Sequence, residues 1–201
     1  MPTTIGHALA GVAAAWGADL VPGPHVSRAT AAPASWYRRA GNGLTLACVV
    51  LATVPDADLL FHVHRTWSHS VFAVLVAGVC AAVTAAARPR ASLSVARIAA
   101  TCAAAYATHL LLDWLAVDFA PPRGIQLFWP FSTAWYISDW SVFRQVDRRA
   151  FLSPPTMWVN AQAVAQEVAL LAPVLVVIWS VRVKALARFP AEMSRRDHSA
   201  E

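Results

Sequence analysis

The sequence has 201 residues, of which 58% are hydrophobic and only 13% charged, against about 25% charged in an ordinary soluble domain. That balance makes lipid the solvent for most of the surface and sets aside a soluble helical bundle. The net charge of +5 comes from basic residues scattered between apolar runs rather than gathered in one stripe, so it does not point to nucleic acid.

Five apolar runs approach the length of about 20 residues that a helix needs to cross a bilayer: Thr3 to Leu20, Leu44 to Leu60, Ser70 to Ala87, Val95 to Val117 and Ala163 to Val183. The first lacks the basic start and cleavage region of a signal peptide and is expected to be a retained helix. It opens with His7. The second closes on Pro55-Asp56-Ala57-Asp58, where two such acids taken alone would form a turn and a helix cap. A short link with His64, Arg65 and His69 leads into the third run, and the fourth holds His109 and Asp113 in its last third. The third and fifth runs read as clean spans.

Between the fourth and fifth runs lies a long connection, Asp118 to Gln162, carrying Trp129, Trp135, Tyr136, Trp140 and Trp158. Such rings suit the headgroup level or a packing role over helix ends. Its prolines, Pro121, Pro122, Pro130, Pro154 and Pro155, exclude one continuous helix. The expected fold is therefore an all-α transmembrane bundle of about five spans with a Trp/Pro-rich interfacial connection. Residues 1–189 form one membrane-embedded domain and 190–201 a polar cytoplasmic tail. Cys48, Cys80 and Cys102 sit in separate apolar runs without CxxC spacing and read as small core residues.

With five spans, the loops alternate between two faces. Eleven of the sixteen Lys and Arg residues fall on one face: Arg28, Arg38, Arg39, Arg88, Arg90, Arg97, Arg182, Lys184, Arg188, Arg195 and Arg196. The other face receives Arg65, Arg123, Arg144, Arg148 and Arg149. Positive charge favours the cytoplasm, which puts the N-terminus outside.

On that alternation His7, Asp56, Asp58, His64, His69, His109 and Asp113 all fall on the extracytoplasmic side. Singly each has a bland reading; His109 and Asp113, four apart, could be only an intrahelical pair. Jointly they suggest a metal site, because ionisable residues persist in membrane spans mainly where they are paired or functional. Imidazole and carboxylate suit zinc, with manganese or iron as alternatives. Seven groups exceed one tetrahedral site, so two ions, or one ion with carboxylates orienting the histidines, are both open. Asp58 and Arg65 are the expected catalytic groups, the guanidinium being suited to grip a phosphate or an oxyanion. His25 and His62 fit no pattern, and His198 lies in the tail.

The order of these pieces resembles the bacterial and archaeal inner-membrane family described as metal-dependent hydrolases, one branch of which is LexA-regulated. The matching residues are His7 with Gly11, Pro55-Asp56-Ala57-Asp58, His64-Arg65, Ser68-His69-Ser70, His109-Leu110-Leu111-Leu112-Asp113, Gly124, and Phe128-Trp129-Pro130-Phe131. Thr66-Trp67-Ser68 departs mildly from the family pattern. The resemblance implies hydrolysis by a metal-activated water in the cell membrane. A looser likeness of ligand chemistry to zinc-dependent phospholipase C and nuclease P1 makes a phosphoester in a lipid or lipid-linked molecule the leading substrate. The competing readings are an ion or metal transporter using the same cluster, and a scaffold with a structural metal. Oligomeric state is not legible.

Overall fold

The computed structural model describes residues 1–21, 40–61, 64–88, 93–147, 150 and 152–197, with side chains described as far as Lys184. His25, His62, His198, Arg28, Arg38, Arg39, Arg90, Arg148 and Arg149 lie outside the described residues. Five α-helices and no strand are found among those described: α1 (Thr4–Ala18), α2 (Gly43–Thr53), α3 (Val71–Ala86), α4 (Val95–Trp114) and α5 (Pro154–Asp197). The protein is an all-α membrane helix bundle, as its composition and apolar runs led us to expect.

Local chemistry sets the helix ends. Thr3, Asn42, Ser70 and Ser94 each cap a helix by accepting a backbone N–H, and Asn42 with Thr45 forms a complete capping box. Pro55 has no N–H to give to the preceding turn, so α2 ends at Thr53 and the chain continues as a 3₁₀ segment, Val54–Phe61. That segment carries Asp56 and Asp58. A second 3₁₀ turn, Trp67–His69, precedes α3.

Among the described residues, three helical stretches are long and apolar enough to cross a membrane: Gly43–Phe61, Val95–Trp114 and Pro154–Lys184. With 15 and 16 residues, α1 and α3 rise only about 22–24 Å, short of the roughly 30 Å hydrocarbon core. The last connection is also shorter than expected. Pro154 and Pro155 begin α5 instead of interrupting a loop, since proline is tolerated in a first turn where the N–H has no intrahelical partner.

At the centre, α4 packs against α1, α2 and α3, while α5 leans on α1. Small residues allow the close approach that helices in lipid rely on. Gly11 is the tightest point: a Cβ there would stand 2.7 Å from the Cys48 carbonyl and 2.9 Å from Ala52. Cys48 is buried with Ala15 and Ala105 in one core cluster, and Ala77, Tyr106, Leu110 and Ile125 form another. The connection after α4 folds back over the helix ends through paired backbone bonds between Ile125 and Tyr136 and through Val117 N–H to the Phe143 carbonyl. It buries Ile125 and Phe143 but leaves Phe119, Phe131 and Trp140 exposed.

Candidate metal centre

The bundle brings the start of α1, the end of α2, the turn before α3 and the end of α4 to one place. His7 is on the second turn of α1, and His109 and Asp113 are one turn apart on the buried side of α4. His69 ends the 3₁₀ turn, fixed by Ser70, whose hydroxyl donates to the Trp67 carbonyl, and by Tyr106, whose hydroxyl donates to the Ser68 carbonyl.

The innermost atoms form a triangle. His69 Nε2 and His109 Nε2 are 3.1 Å apart, and Asp113 Oδ2 lies 3.2 Å from the first and 3.3 Å from the second. On one side Asp56 Oδ1 stands 4.0 Å from His69 Nε2 and 3.9 Å from His109 Nε2. On the other, His7 Nε2 is 3.5 Å from Asp113 Oδ1, and the His7 ring stacks on His109 with centroids 3.7 Å apart. His7, His69, His109 and Asp113 are all buried. Both oxygens of Asp113 and both ring nitrogens of His7 lack a hydrogen bond of good geometry among the described residues. Buried polar atoms of that kind call for an explanation.

Outward-facing ring nitrogens identify the tautomers. His109 Nδ1 meets the Ala52 carbonyl at 2.8 Å; a carbonyl only accepts, so the proton is on Nδ1 and the Nε2 lone pair faces the triangle. His69 Nδ1 lies 3.1 Å from Asp58 Oδ2 and donates to it, again leaving Nε2 inward. Asp58 is well supplied with donors. Its Oδ1 accepts from His64 Nδ1 at 2.7 Å, and its Oδ2 accepts from the Arg65 backbone N–H at 3.1 Å and the Ser68 hydroxyl at 2.5 Å as well as from His69. Burial acts to lower the pKa of His69, but its contacts with Asp113 and Asp58 outweigh burial and push it up to about 9.

Three overlapping groups have ligand atoms close enough to share an ion: His7 with His109 and Asp113, Asp56 with His69 and His109, and Asp58 with His64 and His69. The cluster could therefore bind metal, and all seven residues singled out from the sequence meet at one end of the bundle. Arg65 is placed differently from a free anion grip. Its guanidinium is ion-paired with Asp118 and lies over the Trp135 ring, while its backbone adopts φ 66°, a strained value outside glycine. Asp118 in turn accepts from the Ala120 and Gly124 N–H groups, so the pair ties the long connection to the metal-site turn.

Two charged residues were given no role inside the bundle by the sequence reading, which passed over Glu167 and counted Arg182 only as a basic residue at the cytoplasmic face. The fifth run, taken as clean, contains Glu167 and Arg182, both buried. Glu167 accepts from the Thr3 N–H at 2.7 Å and from the Thr3 hydroxyl at the start of α1. Arg182 pairs with Asp19 at 2.7 Å at the far end of the same two helices. A single acid or base inside an apolar run was the only signal available for either.

No curated protein and no solved structure matches this chain. The family model described as YdjM inner membrane protein matches residues 1–187, a stretch that includes every helix contributing to the cluster, and the chain belongs to that family.

Proposed function

We propose that this protein is a membrane-embedded metal-dependent hydrolase that acts on an ester, with a phosphoester in a lipid or lipid-linked molecule as the leading substrate. The observation that carries the reading is the triangle of His69 Nε2, His109 Nε2 and Asp113 Oδ2. Ligands about 2.0–2.1 Å from a tetrahedral zinc ion are separated from one another by about 3.3 Å, and the three edges here are 3.1, 3.2 and 3.3 Å. The orphaned oxygens of Asp113 and the inward lone pairs of both imidazoles fit such an ion. Zinc suits this set best, with manganese or iron as alternatives.

In this reading Asp58 orients His69 from outside the coordination sphere, in the manner of carboxylate–histidine–metal triads. Its four donors support that role over direct ligation. His7 supplies a further ligand beside Asp113, and His64 buttresses Asp58. Asp56, set back by about 4 Å and slightly open to solvent, is placed to take a proton from water entering the gap. Divalent metal would acidify that water and polarise the scissile group. Arg65, held by Asp118 at the mouth, would meet a phosphate only by exchanging partners.

Exposed Leu60, Phe61, Phe131 and Trp140 on the site-bearing end support a substrate presented at headgroup depth. The distribution of Lys and Arg supports an extracytoplasmic site. Residues 1–189 would form one catalytic unit, with 190–201 as a cytoplasmic tail. Purified protein given zinc or manganese should turn over phospholipids or simple phosphodiesters, and His109→Ala and Asp58→Ala should lose that turnover. Equal turnover in the variants, or metal flux into proteoliposomes with no hydrolysis, would reject the proposal.

A further inference from the structure

We infer that Glu167 is a positioning residue for the metal centre: from α5 it fixes the start of α1 and so the place of His7. The inference rests on the reading of His7 as a ligand but adds a group outside the cluster. His109 and His69 each have an outer partner for Nδ1, the Ala52 carbonyl and Asp58. His7 has neither nitrogen in a good hydrogen bond. Its orientation therefore depends on stacking against His109, on the longer contact with Asp113 and on where the backbone of α1 stands.

Thr3 is the residue at which that backbone is bonded to α5. Thr3 gives its N–H to Glu167 Oε1 at 2.7 Å and its hydroxyl to Oε2. The same hydroxyl accepts from the Gly6 N–H at 3.3 Å, and the Thr3 carbonyl accepts from the His7 N–H at 3.1 Å. Thr3 and His7 are one turn apart, so displacement of Thr3 moves His7 with it. Both Glu167 oxygens act as acceptors at the positive end of a helix, which suits an ionised carboxylate. Its fully buried position in a membrane helix would be costly without these bonds.

Gly6 completes the arrangement. A Cβ at Gly6 would lie 2.5 Å from Glu167 Oε2 and 2.9 Å from its Cδ. Only glycine leaves room for the carboxylate to reach Thr3. Met1 adds bonds to Val117 and Val146 in the long connection, and α1 also packs on α2 and α4, but Glu167 holds Thr3, the residue one turn before His7.

The test uses the full-length protein in detergent with three variants, Glu167→Gln, Glu167→Ala and Gly6→Ala, each compared with wild type for helicity and elution volume. Diethyl pyrocarbonate labelling of each histidine, read by mass spectrometry without metal, reports His7 directly. Cobalt titration followed by visible absorption reports the centre. Glu167→Ala and Gly6→Ala should label His7 faster while His109 stays protected, and should weaken cobalt binding about 10- to 100-fold, the range for groups that support a ligand from outside. The isosteric Gln, which keeps acceptor and donor for Thr3, should restore both. In the double variant Gly6→Ala/Glu167→Ala the second change should add little to the first. Unchanged His7 labelling in folded Glu167→Ala would overturn the inference. Wild type that takes up no cobalt, with His7 labelling still dependent on Glu167, would overturn the metal reading and leave the positioning role standing.

Discussion

The two ends of the bundle both bury charge, and they neutralise it in opposite ways. At the far end, Arg182 pairs with Asp19 and lies over Trp16 and Trp179, while Arg97 donates to the Ala18 carbonyl. Positive and negative partners are supplied by the chain itself, which is what burial of ions demands. At the near end, Asp113 is surrounded by His7, His69 and His109, three groups that are neutral unless they take up a proton. The near end could therefore hold a cation from outside. Ionisable residues in a membrane helix thus take two forms, a closed pair that fastens helices and an open set that could receive an ion, and the difference lies in whether opposite charge is already present.

The comparison breaks most directly at the triangle. Asp113→Ala or His109→Ala should take metal content from near stoichiometric to none, measured by elemental analysis after dialysis; retention of metal would show that the near end is as self-sufficient as the far one. A smaller effect is expected for Asp58→Asn. The amide still accepts from His69 but without charge, and apparent zinc affinity should fall by about 10- to 100-fold, read by chelator competition.

The third prediction concerns pH. The His69 pKa is raised to about 9, so below that value the ring holds a proton that an ion must displace. Metal affinity should rise with pH by up to about tenfold per unit from pH 6 to 9 and then level, as ligand deprotonation requires. A flat titration would mean that His69 is not a ligand. The smallest effect on metal belongs to the far end. Asp19→Asn should lower stability by about 1–2 kcal/mol, because it removes the charge opposite the buried Arg182 guanidinium but keeps an acceptor on a partly exposed side chain, while metal content stays at the wild-type level. Loss of metal in that variant would remove the distinction between the two ends.

Much of this arrangement was legible beforehand because it depends on local pattern. Apolar runs gave the helices, and the alternation of helix directions put His7, Asp56, Asp58, His64, His69, His109 and Asp113 on one side before any contact was known. Lengths were less legible. The 3₁₀ continuation after Thr53 and the start of α5 at Pro154 follow from which N–H groups proline removes, a detail that hydropathy does not weigh. Glu167 was missed because one acid near the start of an apolar run looks the same whether it meets a headgroup or a helix end from a distant segment. Arg65 was expected to grip a phosphate or an oxyanion, since nothing in its neighbourhood along the chain announces Asp118, 53 residues away.

By itself, then, the sequence determined the all-α membrane architecture and the inventory of imidazoles and carboxylates at one end, since both follow from hydrophobic periodicity and from helix direction. The division of labour among those groups was decided only by tertiary structure. Whether a carboxylate is left open among three imidazoles, as at Asp113, or is saturated by donors, as at Asp58, depends on ångström-scale distances between helices, and those are set by packing of small residues such as Gly6 and Gly11 against segments remote in the chain.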